Sequence, residues 1–120
     1  MGNRVNFGFQ QSNENTVFLY GHWAGSAMLE KLANAVLKAR PRWTDESYAT
    51  RIAISQLVGE DWDSETGWGI HVNEIGDNEH KVPIINFQTQ TFKLYEEDLN
   101  TMVFEMSLIN FVNKYSSVLV

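Results

Sequence analysis

The hydrophobic pattern changes period early in the chain, from two to about 3.6, and that change limits the folds open to it. Val5, Phe7 and Phe9 alternate with Asn6, Gly8 and Gln10, the spacing of a half-buried strand. Ser12-Asn13-Glu14-Asn15 has turn chemistry, and Thr16 to Tyr20 is β-branched and aromatic. Residues 3–21 are therefore expected to form a β-hairpin. Gly21-His22-Trp23-Ala24-Gly25 breaks the strand. From Ser26 a helix is expected, with Leu29, Leu32, Ala33 and Val36 on one face and Glu30, Asn34 and Lys38 on the other. Pro41 stops it near Ala39.

Thr44 or Asp45 can cap a second helix that runs to about Val58, with Glu46 in its first turn and Gly59 just past its end. An acidic loop, Glu60 to Gly67, follows. Trp68 to Ile75 reads as a strand, Gly76-Asp77-Asn78-Glu79 as a turn and Val82 to Phe87 as the returning strand. Gln88-Thr89-Gln90 is a turn before Thr91 to Tyr95. From Asp98, as a cap, Leu99, Met102, Val103, Met106, Ile109 and Val112 fall at helical spacing. Met102, Phe104, Met106 and Phe111 lie on more than one side of that helix. This predicts burial against both the sheet and another subunit, and so a homo-oligomer. Strands in hairpins, not between helices, give the α+β class. The expected fold has an antiparallel sheet of about four or five strands, two consecutive central helices and a C-terminal helix. At 120 residues, with no repeat or linker, a single domain over 1–120 is expected.

Composition removes several function classes. Fifteen acids against nine bases give a net charge of −6, which disfavours duplex nucleic acid and anionic membranes. With no cysteine there is no disulfide scaffold, thiol nucleophile or thiolate zinc site. No apolar run reaches the length of a membrane span, and nothing after Met1-Gly2-Asn3-Arg4 resembles a secretion signal. Gly2 does not make a myristoylation site, because Asn6 stands where Ser or Thr is required. A soluble, cytoplasmic protein is the expectation.

Three places could carry chemistry. In Tyr20-Gly21-His22-Trp23-Ala24-Gly25-Ser26, two glycines let backbone N–H groups approach a phosphate or carboxylate at a helix N-terminus. His22 would be the donor there, and Trp23 or Tyr20 the stacking face. The competing reading is a tight strand-to-helix turn with Trp23 as a core anchor. Neither a P-loop nor the dinucleotide fingerprint fits this spacing. The second place holds four of the nine bases, Lys38, Arg40, Arg42 and Arg51, interleaved with Trp43 and Tyr48. Guanidinium groups grip phosphates, and aromatic faces stack on bases. Arg51 has Ser47, Tyr48, Ile54 and Ser55 as helical neighbours, none of them acidic. It must find a distant carboxylate (Asp45 or those at 60–65), solvent, or a ligand. Third, Asp61, Asp63 and Glu65 offer oxygen ligands, but the calcium-loop pattern fails. Thr66 stands where that loop needs Gly, and Val72 where it needs Glu. A solvated acidic loop is expected. His22, His71 and His80 have no metal-ligand spacing, and there is no GxSxG elbow. No metal, cofactor or catalytic residue is expected. The candidate ligand-binding residues are Tyr20, His22, Trp23, Arg42, Trp43, Tyr48 and Arg51, and the ligand class is small and anionic.

The segments Leu19–Gly25 (LYGHWAG), Arg40–Ile52 (RPRWTDESYATRI) and Asp63–Ile70 (DSETGWGI) resemble an uncharacterised family of small bacteriophage- and prophage-encoded proteins. The resemblance covers roughly residues 3–90 and assigns no residue a role. It implies an accessory factor, of the host-takeover or counter-defence kind. The expectation is a binder that sequesters a nucleotide-like immune signal without turnover. The alternative is an inhibitor that meets a host defence protein through its acidic stretches at 60–65, 74–79 and 96–98. A third reading is a metal-dependent nucleotide hydrolase using His22 and the acids at 61–65.

Overall fold

The computed structural model describes residues 3–118; Gly2, the residue weighed for myristoylation, lies outside them. The expected hairpin is present as β1 (Val5–Gln10) and β2 (Thr16–Gly21), in register from Val5 opposite Gly21 to Gln10 opposite Thr16. Helices α1 (Met28–Lys38) and α2 (Glu46–Val58) follow, separated by a short 3-10 turn at Arg40–Arg42. Gly59 ends α2 at φ 59°, a backbone angle that glycine adopts without strain. A second 3-10 turn, Gly59–Asp63, leads to β3 (Trp68–Val72), β4 (Val82–Asn86), β5 (Thr91–Tyr95), β6 (Met102–Ser107) and α3 (Leu108–Tyr115). The class is α+β, with six strands where four or five were expected. Their order is β3-β2-β1-β4-β5-β6.

Two expectations about the sheet are corrected. The strands flanking Gly76–Glu79 do not form a hairpin, and the sheet is not wholly antiparallel. β3 pairs with β2, while β4 crosses to the far side of β1 and lies parallel to it. The crossing is held by Asn6, whose side chain is fully buried. Its Oδ1 accepts from Gly76 N–H at 3.0 Å, and its Nδ2 donates to Asp77 O and Asn78 Oδ1, each at 3.2 Å. The turn residues at 76–79 thus fold over the sheet instead of joining neighbouring strands. β1 is accordingly buried on both faces, not one.

The tail also differs. Residues 102–107 are a strand, and only 108–115 are helical. Asp98 caps no helix; its carboxylate accepts from Asn100 N–H inside a turn. Ser107 is the cap, its Oγ accepting from Asn110 N–H at 3.2 Å. Phe104 and Met106 pack on the core while Val103 and Glu105 face out. Over so short a run, period two and period 3.6 share most of their apolar positions. Met102, Phe104 and Met106 therefore sit on β6, and of the four only Phe111 is helical.

All three helices cover one face of the sheet. α1 lies between α2 and α3, packing against both. Ala33, Ala35, Ala49 and Ala53 are buried and small enough for close helix approach. Beneath them lie Phe7, Phe9, Leu19, Ile85 and Phe92, and Phe111 of α3 stacks on Phe92 at 4.0 Å. Each such side chain contributes about 1.5–3 kcal/mol by leaving water. On the other face, Gly8 leaves room for Phe18. A Cβ there would stand 2.9 Å from Phe18 Cε1 and 3.0 Å from Ile84 Cγ1.

Candidate functional site

At the β2–α1 junction, packing explains both glycines. A Cβ on Gly21 would fall 2.6 Å from Ala24 Cβ and 2.9 Å from Trp68 Cζ3. One on Gly25 would collide with the His80 ring, and the Gly25 N–H already donates to Asn3 O at 2.9 Å. Helix α1 begins only at Met28, after Ala27 at φ 54° with no side-chain cap. The glycines thus make the tight turn. Trp23, however, is no core anchor: 67% of it is exposed.

Around Trp23 stands an aromatic group. His22 meets it edge-on at 4.9 Å, and the Tyr20 hydroxyl lies 2.7 Å from His22 Nδ1. Tyr20 also meets His71 edge-on at 6.2 Å. Tyr20, His22 and Trp23 line an open groove of about 400 Å³ with Thr66, Gly67 and Trp68. Gly67 is required twice over: it sits at φ 97°, and a Cβ would press to 3.0 Å from Trp23 Cζ3. Its carbonyl accepts from His22 N–H at 2.8 Å, tying the two walls together.

Burial raises the Tyr20 phenol above its ordinary 10.0; Arg4 opposes this, and Asp77 and Glu79 add to it. The phenol therefore keeps its proton at neutral pH. In the tautomer whose Nδ1 accepts from the Tyr20 hydroxyl, Nε2–H is left as the donor for a ligand. Glu79 is lowered below 4.5, chiefly by the Arg4 backbone N–H at 3.0 Å and further by the Arg4 charge, with burial opposing. Arg4 Nε stands 3.1 Å from the same carboxylate oxygen, an ion pair whose N–H is not aimed at it.

On its other side, Trp23 borders a smaller groove of about 190 Å³ that also holds Lys31, Leu57 and Asp61. Lys31 is not among the candidates read from the sequence. No motif marks it, and only the docking of α1 beside α2 brings it here.

The basic patch divides. Lys38 and Arg40 line an open groove of about 670 Å³ with Asn34, Pro41 and Gln56. Arg42 turns the other way, its guanidinium 4.6 Å from the centre of the half-exposed Tyr48 ring. Trp43 is only 8% exposed, and its Nε1 donates to Val36 O at 2.9 Å. It is the core anchor that Trp23 is not, and only a small part of it borders the open groove of about 480 Å³ that it shares with Ser12 and Glu46. Arg51 is exposed and, among the described residues, forms no ion pair with Asp45 or with the acids at 60–65. Asp45 instead accepts from Ser47 Oγ at 3.1 Å.

The seven candidates thus do not converge within one chain. Arg42, Trp43 and Tyr48 lie at the start of α2, beside the β1–β2 turn where Ser12 Oγ donates to Glu46 at 2.6 Å. Trp23 lies near its far end, in a groove with Leu57 and Asp61, and Tyr20 and His22 flank Trp23. The thirteen residues of α2 separate them by about 20 Å, at ~1.5 Å per residue. Among the described residues, no three His, Cys, Asp or Glu side chains stand together as a metal-binding group, so the hydrolase reading finds no donor set there. Among the same residues, no helix is long and apolar enough to cross a membrane. Comparison found no matching family model, no similar curated protein and no similar solved structure.

Proposed function

We propose that this is a non-enzymatic phage accessory protein, acting in counter-defence in the cytoplasm of an infected bacterium, that sequesters a small anionic, nucleotide-like ligand. The observation that supports this reading is the exposed Trp23 ring over the groove of Tyr20, His22, Thr66, Gly67 and Trp68. A tryptophan two-thirds exposed gives up little of its apolar surface to the fold, whereas stacking on a nucleobase is worth about 1–3 kcal/mol. The His22 donor then reads a polar edge of the base. Phosphates need cations; Arg42 stands about one helix length away, and Arg51 sits partway along α2. In this reading a second copy supplies them, and the ligand closes a site shared between two chains.

The test is to incubate the purified protein with a panel of cyclic and linear nucleotides, wash it, release the ligand by heat and identify it by mass spectrometry. Intact nucleotide on release is the expected result, with quenched tryptophan fluorescence that is lost in Trp23→Ala. Altered nucleotide, formed with Mg²⁺, Mn²⁺ or Zn²⁺ and abolished by EDTA, would establish the hydrolase instead.

A second reading, an inhibitor that binds a defence protein, is favoured by one specific observation. Residues 52–80 contain seven carboxylates and no Lys or Arg. Among the described residues, only Glu79 of the seven is in an ion pair. A surface of this kind steers a basic partner toward it.

A further inference from the structure

We infer that the free edge of β3 is a docking strand for a basic, extended segment of a partner protein. The inference rests on the second reading above and names the element that would do the docking.

The phase of the β2–β3 ladder is fixed at its two ends. His22 N–H donates to Gly67 O, and Asn73 N–H donates to Thr16 O, each at 2.8 Å. In an antiparallel ladder the groups alternate, so Gly67, Gly69, His71 and Asn73 turn theirs toward β2. Trp68, Ile70 and Val72 therefore direct their N–H and C=O groups away from the sheet. β3 is the last strand on its side, so nothing in the sheet meets these groups. The side chains are as open as the backbone. Ile70 is 61% exposed and Val72 58%, although both lie on the helix-covered face, opposite Leu19 and Val17. The helix layer stops short of them.

Edge strands are ordinarily blunted by lysine, proline, a bulge or an inward charge. The other edge, β6, has Glu105 and an irregularity in its pairing at Leu94/Tyr95. The sequence Trp68-Gly69-Ile70-His71-Val72 has no such device. An unblunted edge with apolar side chains on one face is the geometry that strand addition uses.

Charge selects the occupant. Glu60, Asp61, Asp63 and Glu65 precede the strand, Glu74 follows it, and all are exposed. A second copy pairing β3 to β3 antiparallel would set the acids before one strand beside Glu74 of the other. With no base anywhere in 52–80 to relieve it, that arrangement is repulsive. A strand that alternates Lys or Arg with Val or Ile answers both the apolar row and the carboxylates.

The probe is an end-blocked synthetic peptide of alternating Lys and Val, added to the full-length protein and followed by amide hydrogen exchange. Slowed exchange at Trp68, Ile70 and Val72 is expected, with affinity falling at least tenfold between low and high salt. Ile70→Pro removes an outward donor together with the Ile70 side chain and leaves the β2 ladder intact, so it should abolish the protection. Ile70→Lys keeps every backbone group and should weaken binding through like charge, which covers the case in which the proline variant fails to fold. Binding without protection of those three amides overturns the docking strand and leaves the acidic-surface reading standing. Protection that grows with protein concentration alone assigns the edge to a second copy and overturns it too. No binding at millimolar peptide overturns both readings.

Discussion

Trp23 and Trp43 show how one residue type can serve opposite ends. Trp43 packs against α1 with its Nε1–H satisfied by Val36 O, so Trp43→Ala should cost about 3–5 kcal/mol in a urea or thermal melt. Trp23→Ala removes a ring that is already two-thirds in solvent, and stability should change by no more than about 0.5 kcal/mol. Nucleotide binding should nevertheless disappear with Trp23. Arg51 belongs with Trp23, since its guanidinium anchors no carboxylate among the described residues. Arg51→Ala should leave the melting temperature within a degree or two and still lower ligand affinity. A steep drop in melting temperature would show that the side chain holds the fold, and the ligand role would then have no support. The sequence marks Trp23 as a stacking face at a strand-to-helix junction and Trp43 as an aromatic interleaved with four bases. Burial separates them, and burial depends on what α1 packs against. Local pattern carries no record of that.

Among the elements, the crossover between β3 and β4 has the most unusual chemistry. It is closed by polar groups, not by an apolar cluster: Asn6 holds Gly76 to Asn78, and Arg4 holds Glu79. Asn6→Ala should destabilise by about 1–3 kcal/mol, because the loop's N–H and C=O groups lose their partner on a buried face. The Glu79 carboxylate gives this loop a pH dependence. Its folded pKa lies below the unfolded 4.5, so the contribution is fully present above 4.5 and is lost as pH falls through the depressed value. Between those points the unfolded chain binds a proton that the folded chain refuses. Urea melts at pH 7 and pH 3 should therefore show a larger loss for the native chain than for Glu79→Gln, and equal losses would refute the linkage. This crossover also marks the limit of what periodicity revealed. The hairpin β1–β2, helices α1 and α2 and strand β5 follow from local spacing and turn residues. The parallel pairing of β1 with β4 does not, because it depends on which edge of β1 remains open once β2 has paired. Strand β6 was hidden differently. Met102, Met106 and Ile109 fit a helix stripe, while Phe104, Met106 and Leu108 fit a strand, and the edge of β5 decided between them.

Across the whole molecule, charge and aromatic surface are sorted to different ends. The cations of residues 38–51 sit around the start and outer side of α2, while Asp61 of the acidic 60–65 stretch lies at its far end beside Trp23. In the proposed reading, Trp23 of one copy and Arg51 of another hold one small ligand between them. Such a contact joins unlike surfaces, acidic end to basic end, and the charges favour it. A mixing experiment follows from this geometry. Trp23→Ala and Arg51→Ala should each fail to retain nucleotide alone. In an equimolar mixture, a Trp23→Ala chain can lend Arg51 to an Arg51→Ala chain that still has Trp23. Random pairing then restores about one site in four. Recovered nucleotide, measured after heat release, should rise to about a quarter of the native amount and fall again on dilution of the protein. Retention of nucleotide by Arg51→Ala alone, alongside a native chain that binds one nucleotide per monomer at all concentrations, would place the whole site in a single chain without Arg51. The phosphates would then rest on Lys31, the cation that shares Trp23's second groove, and Lys31→Ala would become the variant that abolishes binding.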